Sequence, residues 1–87
     1  MSIKTKKQPV PKWFDGQVYD KGAVVQNRIG GAEIELNNIE LSMYDLVMGA
    51  SIITEMGGGG PKIIKDLRRG LDWFRQHSPT AYMVLLD

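Results

Sequence analysis

Residues 38–56 read as one helix, and that helix has almost no polar face. Asn38, Ser42, Asp45 and Gly49 recur at helical spacing as a narrow stripe, and apolar side chains take most of the other positions from Ile39 to Met56. A helix that is apolar around most of its circumference has to be buried on several sides. A chain of 87 residues has few elements with which to surround it. A domain of this size buries only about 60% of the surface its unfolded form exposes. The main functional expectation comes from that tension.

The helix ends are marked locally. Asn37 is placed to accept from the backbone N–H of Glu40 while the Glu40 side chain reaches back, a capping box with Asn in the first position. Gly57 suits the positive φ of a C-cap, and Gly60-Pro61 opens a second helix with proline at its first position. Over residues 61–77, Ile63, Ile64, Leu67, Leu71 and Phe74 share one face. Lys62, Lys65, Asp66, Arg68, Arg69, Asp72, Arg75 and Gln76 fill the other. Ser78-Pro79 caps a last short helix, and the run from Ala81 to Leu86 is too apolar to be left in water, so the C-terminus is docked.

The N-terminal part reads as strand and turn. Asp15-Gly16 and Asp20-Lys21-Gly22 are turn signals around a short strand candidate, Gln17-Val18-Tyr19. A two-residue turn at Gly30-Gly31 would pair Arg28 with Glu33, Asn27 with Ile34 and Val25 with Leu36. One side of the sheet then collects Val25, Ile29, Ala32, Ile34 and Leu36, with Asn27 as its one polar member. Residues 1–12 carry four lysines, no acid, and prolines at 9 and 11, and so form a basic arm rather than a folded element. The expected organisation is this arm followed by one α+β domain over 13–87: a β-hairpin or short meander, two main helices and a short C-terminal helix.

Charge and composition exclude more than they assign. Residues 13–56 hold two bases against seven acids, and residues 57–87 five against three, for a total of +1. That balance does not suit a dedicated nucleic-acid coat. No cysteine is present, which removes disulfides, thiolate metal sites and a cysteine nucleophile. His77 is the one histidine, and the acidic residues lack calcium-loop spacing, so no metal or cofactor is expected. GGGGPK at 57–62 departs from a phosphate loop: Pro61 removes an amide and no hydroxyl follows Lys62. A looser anion site there, using Lys62 and Lys65, stays open beside the plain reading of a linker. The serines lie in no nucleophile-elbow context, and Glu40 and Asp45 fall on different faces of their helix. An enzyme would need a pocket joining Asp45, Tyr44 or His77. No stretch resembles a signal peptide, and no apolar run is long enough to span a bilayer.

The segments PKWFDG, ELNNIELSMYDLVMGA and GLDWFRQHSPTAYMVLLD together resemble a family of small uncharacterised proteins of marine cyanophages. The likeness covers most of the chain from Pro11 onward. It implies a phage accessory role in the cytoplasm of an infected cyanobacterium, with a phage or host protein as possible partner and no catalytic residues to carry over. Locally, Tyr19, Gly22 and Val25 are similar to the repeat Y-x-x-G-x-x-V of small carbohydrate-binding modules. Where those modules carry exposed aromatics after the turn, this chain has Ala32, Ile34 and Leu36.

Two functional expectations follow. The first is a non-enzymatic homo-oligomer, a dimer in the simplest case. The hairpin and second helix each have one apolar face, so some of Leu41, Tyr44, Met48 and Ile52, and of Met43, Val47 and Ala50, should be left over as an interface. Ser42, Gly49 and Ser51 would let a second copy approach. The alternative is weak nucleic-acid binding through Lys4, Lys6, Lys7 and Lys12 together with Arg68, Arg69 and Arg75, and it requires those side chains to converge.

Overall fold

The computed structural model describes residues 10–86 and has a mixed α+β fold. An antiparallel hairpin of β1 (Ala23–Gln26) and β2 (Glu33–Leu36) leads into two long helices, α1 (Asn38–Glu55) and α2 (Pro61–His77). A short helix, α3 (Pro79–Ala81), then runs directly into one π turn, Tyr82–Leu86.

Local chemistry sets the limits of α1. Asn37 Oδ1 accepts from the Glu40 N–H, and Glu40 Oε1 accepts from the Asn37 N–H, both at 2.8 Å. The second Glu40 oxygen accepts from Ser78 Oγ at 2.6 Å. One carboxylate thus starts α1 and ties down the junction between α2 and α3. Ser78 was expected to cap the last helix, and its side chain does not, because its hydroxyl is used on Glu40. At the other end, Gly57 N–H donates to Thr54 C=O and Gly58 N–H to Ile53 C=O, each at 3.0 Å, with Gly57 at φ 82°. This is a Schellman motif, and it stops α1 where the glycines begin.

Helices α1 and α2 cross closely at Gly70. A Cβ built there would lie 2.5 Å from Val47 Cγ2, so only glycine permits this spacing. The core cluster is Leu36, Ile39, Met43, Val47, Trp73, Phe74 and Ala81. The face that α2 buries is rotated from the expected one. Asp66, Gly70, Trp73 and Phe74 are buried, while Ile64 is exposed. Asp66 was placed among the solvent-facing charges. It is buried because Lys62 Nζ and Arg69 Nη2 both close on it at 2.8 Å, one from each side along the helix.

The hairpin exists, with a longer loop than the two-glycine turn. Val25 pairs with Ile34 and Gln26 with Glu33, so the register is shifted by two residues and Arg28 does not face Glu33. Asn27 causes the shift. Its Oδ1 accepts from the N–H groups of Ile29 and Gly30, at 2.8 and 3.0 Å, and its Nδ2 donates to the Val84 carbonyl at 2.7 Å. The side chain thus organises the loop and fixes it to the C-terminal turn. Gly31 alone of the glycine pair has positive φ, and Ile29 is 95% exposed in the loop rather than on the apolar side.

Residues 13–22 form no strand, so the meander is absent and the sheet has two strands. The Tyr19 backbone finds its partners on α1 instead: its N–H donates to Ser42 Oγ at 2.9 Å and its C=O accepts from Asn38 Nδ2 at 3.1 Å. This irregular segment is a strap across the N-terminal half of α1, with Trp13 and Phe14 packed against the core. Among the described residues, no helix is long and apolar enough to cross a membrane.

Candidate interaction surface

The strap, the hairpin, α2 and the C-terminal turn leave different parts of α1 uncovered. Of the seven residues among which the uncovered ones were expected, Met43, Val47 and Ala50 are buried, since α2 approaches closely across Gly70. Leu41, Tyr44 and Met48 are half-buried. Ile52 is 44% exposed and Met56 79%, and Ile53 beside them is exposed too. Next to this row, a Cβ at Gly49 would meet nothing within 4 Å. Ser42, one of the small residues expected at an interface, is not part of it. It is buried, accepting from Tyr19 N–H and donating to Asn38 C=O.

The open region is therefore the outward face of the last two turns of α1. Ile53 and Met56 belong to it more fully than Leu41 does. Four glycines follow Met56, and they bring no side chain to cover it. At the start of α2 the exposed Ile64 lies in a shallow depression with Gly59, Gly60, Pro61, Lys65 and Arg68. The loop does not form a phosphate cradle. Ile63 and Ile64 N–H groups both donate to Gly60 C=O, Pro61 has no N–H, and Lys62 is turned to Asp15 and Asp66.

A second groove, of about 270 Å³, lies between α1 and the hairpin loop. Tyr44, Met48, Ser51 and Glu55 form its floor, with Ile29 and Leu85 at its sides. A third, of about 290 Å³, is aromatic: Pro11, Trp13, Trp73 and His77 line it. The Arg69 guanidinium lies 4.6 Å from the Trp13 ring, and the His77 ring is 5.3 Å from that of Trp73.

The basic residues do not form one patch among the described residues. Lys4, Lys6 and Lys7 lie outside those residues, and Lys12 is exposed near the strap. Arg69 is held by Asp66 and Trp13. Arg75 is held by Asp72 and by the Tyr82 hydroxyl, each at 3.0 Å. Arg68 faces solvent beside Lys65.

The titratable groups report the same local pairing. The hydrogen bond from Lys62 holds the Asp66 carboxyl below its ordinary value, against the opposing effect of burial, with Arg69 adding to the depression. Lys62 is raised in turn by its bonds to Asp66 and Asp15. Tyr19 is raised by its 3.0 Å bond to Asp45. Asp45, Tyr44 and His77 are not brought together: Asp45 holds Tyr19, Tyr44 lines the second groove, and His77 the third. Among the described residues, no group of three or more His, Asp or Glu side chains is arranged to hold a metal ion.

Comparisons with protein-family models, with characterised proteins and with solved structures found no match to this chain.

Proposed function

We propose that the protein is a non-enzymatic interaction protein that works as a homo-oligomer, with the C-terminal half of α1 as its contact surface. The observation that carries this reading is the exposed row Ile52, Ile53 and Met56 beside the open Gly49, on a helix whose last turn has no basic residue. Apolar side chains clustered in this way are removed from water when a second copy packs against them. Two-fold pairing is the commonest closed solution, and Gly49 lets two helices approach. Met48 and Met56 are flexible and polarizable, so they fill an irregular seam well. The expected contact buries about 1,600 Å² in total.

The setting we propose is the cytoplasm of an infected cyanobacterium, on the strength of the segment likeness to cyanophage proteins. Nucleic acid is the less favoured partner, because Arg69 and Arg75 are already engaged within the fold. Any DNA binding is expected to be weak, with a log–log salt slope of about −0.9 per phosphate contact.

Sedimentation across the micromolar range tests the proposal. The native chain is expected to shift from monomer to dimer, and the variant Ile52→Glu with Met56→Glu to remain monomeric with unchanged helical circular dichroism. A native chain that stays monomeric throughout overturns the reading.

A further inference from the structure

The two outer edges of the sheet differ. Strand β2 carries Glu33 and Glu35 and packs along α1 and the C-terminal π turn. Strand β1, Ala-Val-Val-Gln, packs chiefly on β2, and three of its four residues are exposed, Val24 at 62%. Its edge has no charge, no proline and no bulge, the devices by which proteins keep open edges from pairing. Among the described residues no further strand covers it. An isolated two-stranded hairpin is marginal in water; here β2 is supported by α1 and the C-terminal turn, and the open edge of β1 is left available to a further strand.

Hydrogen-bond directions identify the groups on offer. The Asn27 N–H donates to Ala32 C=O at 2.7 Å, and the Asn27 C=O accepts from Gly31 N–H at 3.3 Å. Residue 27 therefore turns both groups inward, toward the second strand. Directions alternate along an antiparallel strand, so Ala23 and Val25 also point inward, and Val24 and Gln26 point outward.

We propose that the β1 edge pairs antiparallel with the β1 edge of a second copy, about a two-fold axis at Val25, to give a four-stranded sheet. This inference does not rest on the α1 contact and goes beyond it. In this register Val24 of each copy exchanges both its bonds with Gln26 of the other, so every outward group of both strands is used. Val25 faces its own symmetry mate on the core side, and the apolar face of Val25, Ile34 and Leu36 continues across the junction. A one-residue slip would set a core-side residue against an outer-side one. The same pairing through β2 would bring Glu33 and Glu35 of two copies together, and like charges across strands repel. With both surfaces in use, the assembly grows beyond a dimer.

Amide hydrogen exchange tests this residue by residue. The Val24 and Gln26 amides are expected to exchange about 4-fold more slowly at about 1 mM protein than at about 10 µM, the change that a dissociation constant of about 0.1 mM gives, since only the paired edge protects them. Val24→Pro removes an outward N–H without touching a β1–β2 bond, and should abolish the concentration dependence at Gln26. If that variant does not fold, the native measurement decides alone. Ile52→Glu with Met56→Glu, which disables the α1 contact, should leave the protection in place. Fast exchange of Val24 and Gln26 at both concentrations overturns the proposal, and so does loss of their protection in the α1 variant.

Discussion

Gly70 sets the distance between the two long helices, and adding one methyl group there measures how much that distance matters. In Gly70→Ala the new Cβ would sit 2.5 Å from Val47 Cγ2, where ordinary contacts lie at 3.4–4 Å. Relief requires α1 and α2 to separate by about 1 Å or Val47 to leave its rotamer, an overpacking cost of about 1–3 kcal/mol. Against this, alanine is the better helix former by about 0.8–1 kcal/mol. The net expectation is a loss of about 1 kcal/mol, or a fall of roughly 4–8 °C in Tm for a domain of this size. Gly49→Ala is the matched control: its methyl meets nothing within 4 Å, so it should stabilise by roughly the propensity gain of 0.8–1 kcal/mol.

Urea denaturation followed by circular dichroism, at concentrations low enough to keep the chain monomeric, reads both variants on one scale. Val47→Ala completes a cycle. Alone it removes two buried methyl groups and costs about 2 kcal/mol, but in the Gly70→Ala background it makes room for the new methyl. The coupling is expected at about 1 kcal/mol in favour of the double variant. Gly70→Ala as stable as Gly49→Ala, with no coupling to Val47, would refute the close-packed crossing.

Asp66 is held below its ordinary value, so its contribution is present above the usual carboxylate range and is lost as pH falls through its folded value. Stability should therefore drop as pH falls below the usual carboxylate range, and the drop should be shallower in Asp66→Asn when both are followed by denaturant midpoint. Asn27→Ala removes two acceptor bonds and one donor bond at a loop, at an expected cost of about 1–3 kcal/mol. Asn27→Asp keeps the acceptor and loses the donor to Val84, so exchange at the C-terminal turn should quicken while the loop keeps its form.

The parts of the fold that could be read in the chain are those decided within a few residues. The Asn37–Glu40 capping box and the Gly57 terminus are local, so α1 could be placed to within a residue at either end. The hairpin strands could be placed too, but their register could not be settled by alternation, since a shift of two residues leaves every side chain on the same side. The decisive group was Asn27, visible beforehand as the one polar residue on an apolar face. It holds loop amides and a carbonyl 57 residues away, and the second of those bonds has no local signature. On α2, charge misled in a similar way. Asp66 is flanked at i−4 and i+3 by Lys62 and Arg69, so it can be buried with its charge satisfied, and the helix turns Trp73 and Gly70 inward.

The candidate surface depends on a different kind of information. Counting apolar faces shows that α1 has more surface than its neighbours can cover, but not which turns remain open. That is decided by the strap of residues 13–22, which has no periodicity, and whose position depends on single contacts: Tyr19 to Ser42 and Asp45, Trp13 to Arg69. The Tyr19 contacts close the N-terminal half of α1, the Trp13 contact ties the strap to α2, and the half that ends in four glycines is left open. The glycine loop offers a test of that open half: in Gly58→Leu, at a φ that any residue adopts, the added Cβ would lie 3.5 Å from Ile53 Cγ2, so the new side chain covers part of the surface. That variant should be more stable as a monomer and weaker in self-association by sedimentation. Unchanged association would show that Ile53 and its neighbours are not the contact surface.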